Sequence, residues 1–471
     1  MPTTRQWLGL AALCKEYGDI IHLRTPGKDF IVLGSAAAVS EVLEKRTANS
    51  SDRLIGPIVE LSGSDWALGL LPYGQRWRDY RRALWQHFHP GAIVKYRPAQ
   101  ESFAPLFLKK LLDKPEGYMD HIRFVFSATL LKIVYGIDID DDDLEIVRNI
   151  REAVEGISEC FVPGKFIVDY IPILRYIPEW FPGAGFQKKC VIWRMKQEIL
   201  KNVPFEQRNT SLCKSEYVMA SCTTVVDQLL AGVTKRDELD DAPYWDELVK
   251  SIAAVVYEGE RAIQSVATMQ STLLAMSLYP EVQQKAQAEL DRVVGPGCLP
   301  NFADLDSLVY IRAIVKESIR WHTVTPLGIP HRTVEDDFFR GYFVPAGSVI
   351  IANSWACMRD PNVYKDPEEF CPDRFIRDGR LDPDVLDPAT IIFGSGRRQS
   401  MLFLSVASTL HVFNISAPLD NDGNAIRIEP CMSDGALSYL EDCRCTVKLR
   451  SPEAAALVER EIAAMRYPPC S

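Results

Sequence analysis

Trp77 and Arg81, in the stretch YGQRWRDYRR, stand four positions apart. On a helix that spacing puts both side chains on one face, where an indole N–H and a guanidinium can reach a single anion. Glu317 and Arg320, in KESIRW, are three apart. Alone, such a pair is an exposed ion pair worth about a few tenths of a kcal/mol. A further arginine, Arg374, follows 54 positions after Arg320 in Pro372-Asp373-Arg374-Phe375. His331 opens an alternating stretch, HRTVEDDFFRGYFV, whose plain reading is a half-buried strand. Phe393-Gly394-Ser395-Gly396-Arg397-Arg398 joins two glycines, which free the backbone, to two cations.

The elements that must position these residues are mostly helical. Residues 20–35 read as two short strands around a Pro-Gly turn, and helical patterns dominate from about 36 to 325. The clearest lies over 279–294, with Pro280 in the first turn and Val282, Ala286, Leu290 and Val293 on one face. Residues 328–353 return to strands with a turn at Pro345–Gly347, 400–415 form an apolar, mostly helical run, and 426–450 read as a terminal hairpin. The acidic run at 140–143 reads as solvated.

Composition is that of an ordinary globular protein, 47% hydrophobic and 25% charged over 471 residues. A net charge of −10 excludes nucleic-acid binding driven by phosphate attraction. The twelve cysteines form no C-x-x-C pair and read as reduced thiols. The one early apolar stretch, residues 7–14, is far short of the ~20 residues that cross a bilayer. No membrane span or targeting peptide is expected.

In their order and spacing these motifs resemble the cytochrome P-450 superfamily, over about residues 7–451. The resemblance implies a mostly α, triangular haem-monooxygenase fold with small β-sheets. It implies that Trp77, Arg81, His331 and Arg398 meet the haem propionates, and that Gly394 and Gly396 let the backbone approach the porphyrin. Glu317, Arg320 and Arg374 become one buried cluster that locks the core behind the haem. Residues 161–186 and 410–415 are similar to fungal microsomal members that oxidise lipophilic secondary metabolites, nearest to the O-methylsterigmatocystin oxidoreductase group. The implied cofactor is haem, and the implied partners are an NADPH-dependent cytochrome reductase and a lipophilic substrate. Val324, Leu327 and Leu437 are the candidate pocket residues, since family substrate contacts come from those loops.

The pattern then breaks. Where the family places its iron-ligating cysteine, this chain continues Gln399-Ser400-Met401-Leu402. Either Ser400 replaces the cysteine directly, or a block holding it is missing and Ser400 already opens the next helix. The second fits better, because the interval from Arg398 to His411 is short by about nine residues, roughly two and a half helical turns. No metal ligand is therefore assigned. In the central helix, Ala262 and Ile263 stand where the family carries the acid and threonine of its proton relay. Glu258 or Glu260 is a displaced acid in one reading, and Glu258–Arg261 is an i,i+3 ion pair in the plainer one.

The expected organisation is one domain over 1–451, without the family's membrane anchor, and a tail over 452–471. The expected location follows: cytosolic or peripheral, against the family's place on the cytosolic face of the endoplasmic reticulum. The leading expectation is a family oxidoreductase impaired by these losses. The alternatives are a non-catalytic binding or scaffold protein on the same fold, or a decayed or mis-assembled gene product.

Overall fold

The computed structural model describes residues 4–25, 27–139, 144–160, 162, 164–214, 224–234, 242–258, 260–393 and 399–466. The fold is mostly helical, with one five-stranded sheet and three two-stranded ones among the described residues. Strands β1 (Ile20–Thr25) and β2 (Lys28–Leu33) form the antiparallel hairpin expected at 20–35, turned at Gly27 with φ 77°. The stretch after residue 328 yields β4 (His331–Arg332), β5 (Asp337–Phe339), β6 (Tyr342–Val344) and β7 (Val349–Ala352). With the two-residue β3 (Asp52–Arg53), the large sheet runs β1-β2-β7-β4-β3. Parallel pairing of β2 with β7 joins the first fifty residues to the last third of the chain.

The main core gathers the apolar faces of helices Arg97–Asp113, Tyr118–Tyr135, Ala242–Glu258, Glu260–Leu278, Val309–Trp321 and Gln399–Val412. Leu108, Ile122, Leu131, Ile252, Ile311 and Ala407 are wholly buried there. Each large apolar side chain so buried contributes about 1.5–3 kcal/mol before chain entropy is set against it. Helix Pro280–Val293 follows its predicted pattern, with Val282, Ala286 and Leu290 inward.

Two expectations need correction. Over 426–450 the hairpin is reduced to one antiparallel bridge, Met432 with Leu440, while the strand Thr446–Leu449 pairs antiparallel with Phe413–Ser416 outside the stretch. The reason is a side chain from distant sequence: Gln283 exchanges hydrogen bonds with both the N–H and the C=O of Ile415, at 2.7 and 2.9 Å. That side chain holds 413–416 extended, with Phe413 and Ile415 inward. The segment assigned to a tail carries helix Pro452–Arg466, which packs on Arg97–Asp113 through buried Leu457, Val458 and Ile462. Its alanine- and charge-rich composition hides that narrow apolar stripe. The acidic run at 140–143 lies outside the described residues.

Candidate functional site

Helix Val309–Trp321 begins without a side-chain cap of its own. Glu289, from Pro280–Val293, supplies one: its carboxylate accepts the N–H of Tyr310 at 2.9 Å and of Ile311 at 3.1 Å. A negative charge at a helix N-terminus also meets the positive end of the helix dipole. Two turns on, Glu317 and Arg320 are both fully buried. They form a two-pronged pair, Nε to Oε2 at 2.7 Å and Nη2 to Oε1 at 2.8 Å. Arg374 reaches the same carboxylate at 3.2 Å, and the N–H of Cys371 donates to it at 2.7 Å.

One carboxylate thus sits between two guanidinium groups, and main-chain oxygens absorb the second positive charge. Arg320 donates to the carbonyls of Met358, Pro367 and Glu369. Arg374 donates to those of Lys365, Asp366 and Glu369. A buried charge pair is tolerated only when its remaining donors are met, as they are here. The cluster ties a helix to two stretches of irregular chain.

Trp77 and Arg81 lie on helix Gln75–Phe88, where Arg81 stacks over the Trp77 ring at 5.3 Å and Tyr73 lies 5.0 Å from it. His331 stands on β4, and its Nδ1 donates to the carbonyl oxygen of Ser50 at 2.6 Å. A carbonyl only accepts, so Nδ1 carries the proton. Burial, with Arg53 beside it, pushes the His331 pKa down to about 3 and keeps the ring neutral. Its Nδ1–H is therefore engaged by the protein's own backbone. Asp52, which nothing in its local sequence marks out, joins the two elements: it accepts from the N–H of Tyr73 at 2.8 Å and from Arg332 Nε at 2.7 Å. Arg398, Gly394 and Gly396 lie outside the described residues.

Ala262 and Ile263 fall in helix Glu260–Leu278, with their side chains outside the described residues, as are those of Glu258, Glu260 and Arg261. The next turn is polar and buried. Gln264 donates to Thr325 Oγ1 at 3.4 Å, and Thr272 donates to Ser318 Oγ at 2.8 Å across to the Glu317 helix. His322 is buried, neither ring nitrogen makes a hydrogen bond of full geometry, and its pKa is driven down to about 4, by burial first.

Of the pocket candidates, Val324 and Leu437 come together, because the carbonyl of Val324 accepts the N–H of Ser438 at 2.8 Å. Leu327 packs instead with Leu10, Phe30 and Val349. None of the three lines a cavity of about 60 Å³ walled by Phe30, Leu54, Ile58, Leu70, Tyr170 and Ile329. The loops near 55–73 and 324–329, from which the family resemblance draws substrate contacts, supply Gly56, Ile58, Val59, Leu70 and Ile329 to its wall. Ser400 is half-buried in the first turn of Gln399–Val412.

Comparison with known proteins agrees with this architecture. The family model for cytochrome P-450 matches residues 4–424. A cytochrome P-450 monooxygenase of Coprinopsis cinerea is 34% identical over 98% of this chain and 90% of its own length. The tryptamine 4-monooxygenase of Psilocybe cyanescens is 36% identical over 96% of this chain and 90% of its own. A cytochrome P-450 monooxygenase of Aspergillus oryzae is 31% identical over 99% of this chain and 88% of its own.

Proposed function

The chain belongs to the cytochrome P-450 family, and from that premise we propose that it is a haem-monooxygenase scaffold for a lipophilic fungal secondary metabolite that does not turn over as written. The residues fit the haem unevenly. Trp77 and Arg81 retain a donor pair for a propionate. The iron side does not fit. The observation that carries this reading is that no cysteine occurs between Cys371 and Cys431, and that Gln399-Ser400 already opens a helix.

Neither flanking thiol is an obvious replacement. Cys371 is held by its amide at Glu317, and Cys431 is exposed beyond strand Phe413–Ser416. A serine hydroxyl is neutral near pH 7 and lacks the electron-rich sulfur that favours O–O cleavage. Reduced protein treated with carbon monoxide will therefore show no long-wavelength Soret band. A sulfur-type band from the unaltered chain would defeat the proposal. The deficit of about nine residues before His411 favours a second reading, in which the transcript holds a cysteine-coding segment between Arg398 and Ser400. Sequencing the cDNA decides it.

On the same premise the electron donor is an NADPH-dependent reductase and the working place is the cytosolic face of the endoplasmic reticulum. No helix among the described residues is long and apolar enough to cross a membrane. Peripheral contact is supported by the exposed side chains of Ile171, Ile173, Tyr176, Trp180, Phe181 and Ile192. Apolar patches of this kind mark contact surfaces, and Trp and Tyr suit the water–lipid boundary. Co-sedimentation with phospholipid vesicles is expected for the intact chain. A Tyr176→Ser, Trp180→Ser double variant should stay in the supernatant, and equal sedimentation of both would remove this part of the reading.

A further inference from the structure

Helix Gly185–Lys214 buries one face and leaves a second apolar face outside. Cys190, Trp193, Gln197 and Leu200, three or four positions apart, turn into the protein. Val191, Ile192 and Met195 lie on the other side and are exposed, by 51%, 56% and 57%. A helix packed on a core ordinarily carries polar residues there. The stretch before it is tied to its first turn. Gln187 Nε2 donates to the carbonyls of Arg175 and Ile177, at 2.8 and 3.4 Å, beside the exposed rings of Tyr176 and Trp180.

Positive charge borders this apolar surface. Residues 159–195 carry five cations and three carboxylates, in a chain whose net charge is −10. Lys188, one turn before Ile192, is exposed and forms no ion pair among the described residues. Arg194 donates to the carbonyls of Glu60 and Leu61, at 2.9 and 3.0 Å, so neutral oxygens hold it and leave its charge uncompensated. Lys165 and Lys189 share the carboxylate of Glu159, both at 3.0 Å, which leaves one positive charge over. Arg175 is neutralised by Glu60 at 2.6 Å. Against the remaining cations stands Glu179, exposed and unpaired among the described residues. The acidic excess of the whole chain repels a negative surface, whereas here cations stand beside apolar side chains that can enter one.

We propose that this face seats on a bilayer surface rich in anionic phospholipid, with Trp180, Ile192 and Met195 at the acyl boundary and Lys188, Lys189 and Arg194 among the headgroup phosphates. This lipid preference rests on the peripheral contact proposed above and adds the charge of the lipid. A helix lying in the interface plane binds through both terms, buried apolar area and attraction to anionic lipid. Each cation near an anionic leaflet strengthens binding by about fivefold.

Sedimentation of the full chain with vesicles of phosphatidylcholine alone, and of phosphatidylcholine mixed with phosphatidylserine, tests it. The mixed vesicles should bind more tightly by about tenfold or more at low salt. The difference should vanish near about 1 M salt, where screening acts within about 3 Å. A Lys188→Gln, Arg194→Gln double variant should bring the two vesicle types to equal affinity while binding to phosphatidylcholine persists. If that variant does not fold, Lys188→Glu, which breaks no ion pair, should weaken binding to the mixed vesicles alone. An Ile192→Ser, Met195→Ser double variant should weaken binding to both types by the same factor. Equal binding of the parent chain to both types would overturn the lipid preference and leave the peripheral contact standing, whereas binding to neither would remove both. A preference that survives Lys188→Gln, Arg194→Gln would overturn the assignment to this face. So would a concentration-dependent dimer that is lost in Ile192→Ser, Met195→Ser, since a second copy of the chain would then be its occupant.

Discussion

Glu317→Leu should destabilise the protein by about 3–5 kcal/mol, the penalty for breaking a buried charge pair from one side. Arg320 is fully buried, and two of its nitrogens rest on this carboxylate. Leucine leaves the guanidinium charge with only the carbonyls of Met358, Pro367 and Glu369 to stabilise it. Against a typical margin of about 5–15 kcal/mol, that loss leaves a barely folded chain. Arg374→Leu should cost less, about 1–3 kcal/mol, since Glu317 keeps both bonds to Arg320. The check is the urea midpoint, read at an unchanged denaturant slope. A Glu317→Leu midpoint within about 1 kcal/mol of the parent would mean that the cluster is incidental to the core.

Ser400→Cys alone should give no sulfur-type spectrum, while insertion of a cysteine-bearing segment of about nine residues after Arg398 should produce one. The difference is geometric. Ser400 sits in the first turn of Gln399–Val412, so a sulfur there is carried by the helix itself. A ligand needs a loop ahead of the helix that lets the backbone curve toward the metal. Turnover in the inserted variant should remain poor until Ala262 and Ile263 become an acid and a threonine, because oxygen chemistry then still lacks its proton donors. A sulfur-type spectrum from Ser400→Cys would show that the shortened loop is no obstacle. Full turnover by the insertion alone would show that the protons arrive by another route.

Both variants address features of different legibility. The family, the helical class and the hairpin at β1–β2 follow from local pattern: turn residues, helical spacing and motif order are all written along the chain. The substitution at Ser400 is legible for the same reason, since ligand chemistry depends on which atoms a side chain carries. The Glu317–Arg320 pair can be read from its spacing, whereas its burial and its third member, Arg374, are expected only through the family resemblance. Those depend on where residues 358–374 fold back over the helix.

Partners fixed by distant chain were decided only in three dimensions. His331 has the chemistry of a ligand-facing histidine, yet β3–β4 pairing sets it against the Ser50 carbonyl. Residues 413–416 continue an apolar run that reads as helix, and Gln283, 132 positions away, holds Ile415 extended. Pro452–Arg466 has the composition of a tail, and only the groove beside Arg97–Asp113 gives its thin apolar stripe somewhere to bury. Asp169 sits in a lipophilic turn, and its carboxylate has room only because Gly56, 113 positions earlier, lacks the Cβ that would stand 2.1 Å from Oδ1. Side-chain type and short-range spacing are properties of the sequence. Burial, and therefore the strength of every charge and hydrogen bond in these sites, belongs to the tertiary structure, because it depends on which distant segments exclude the water.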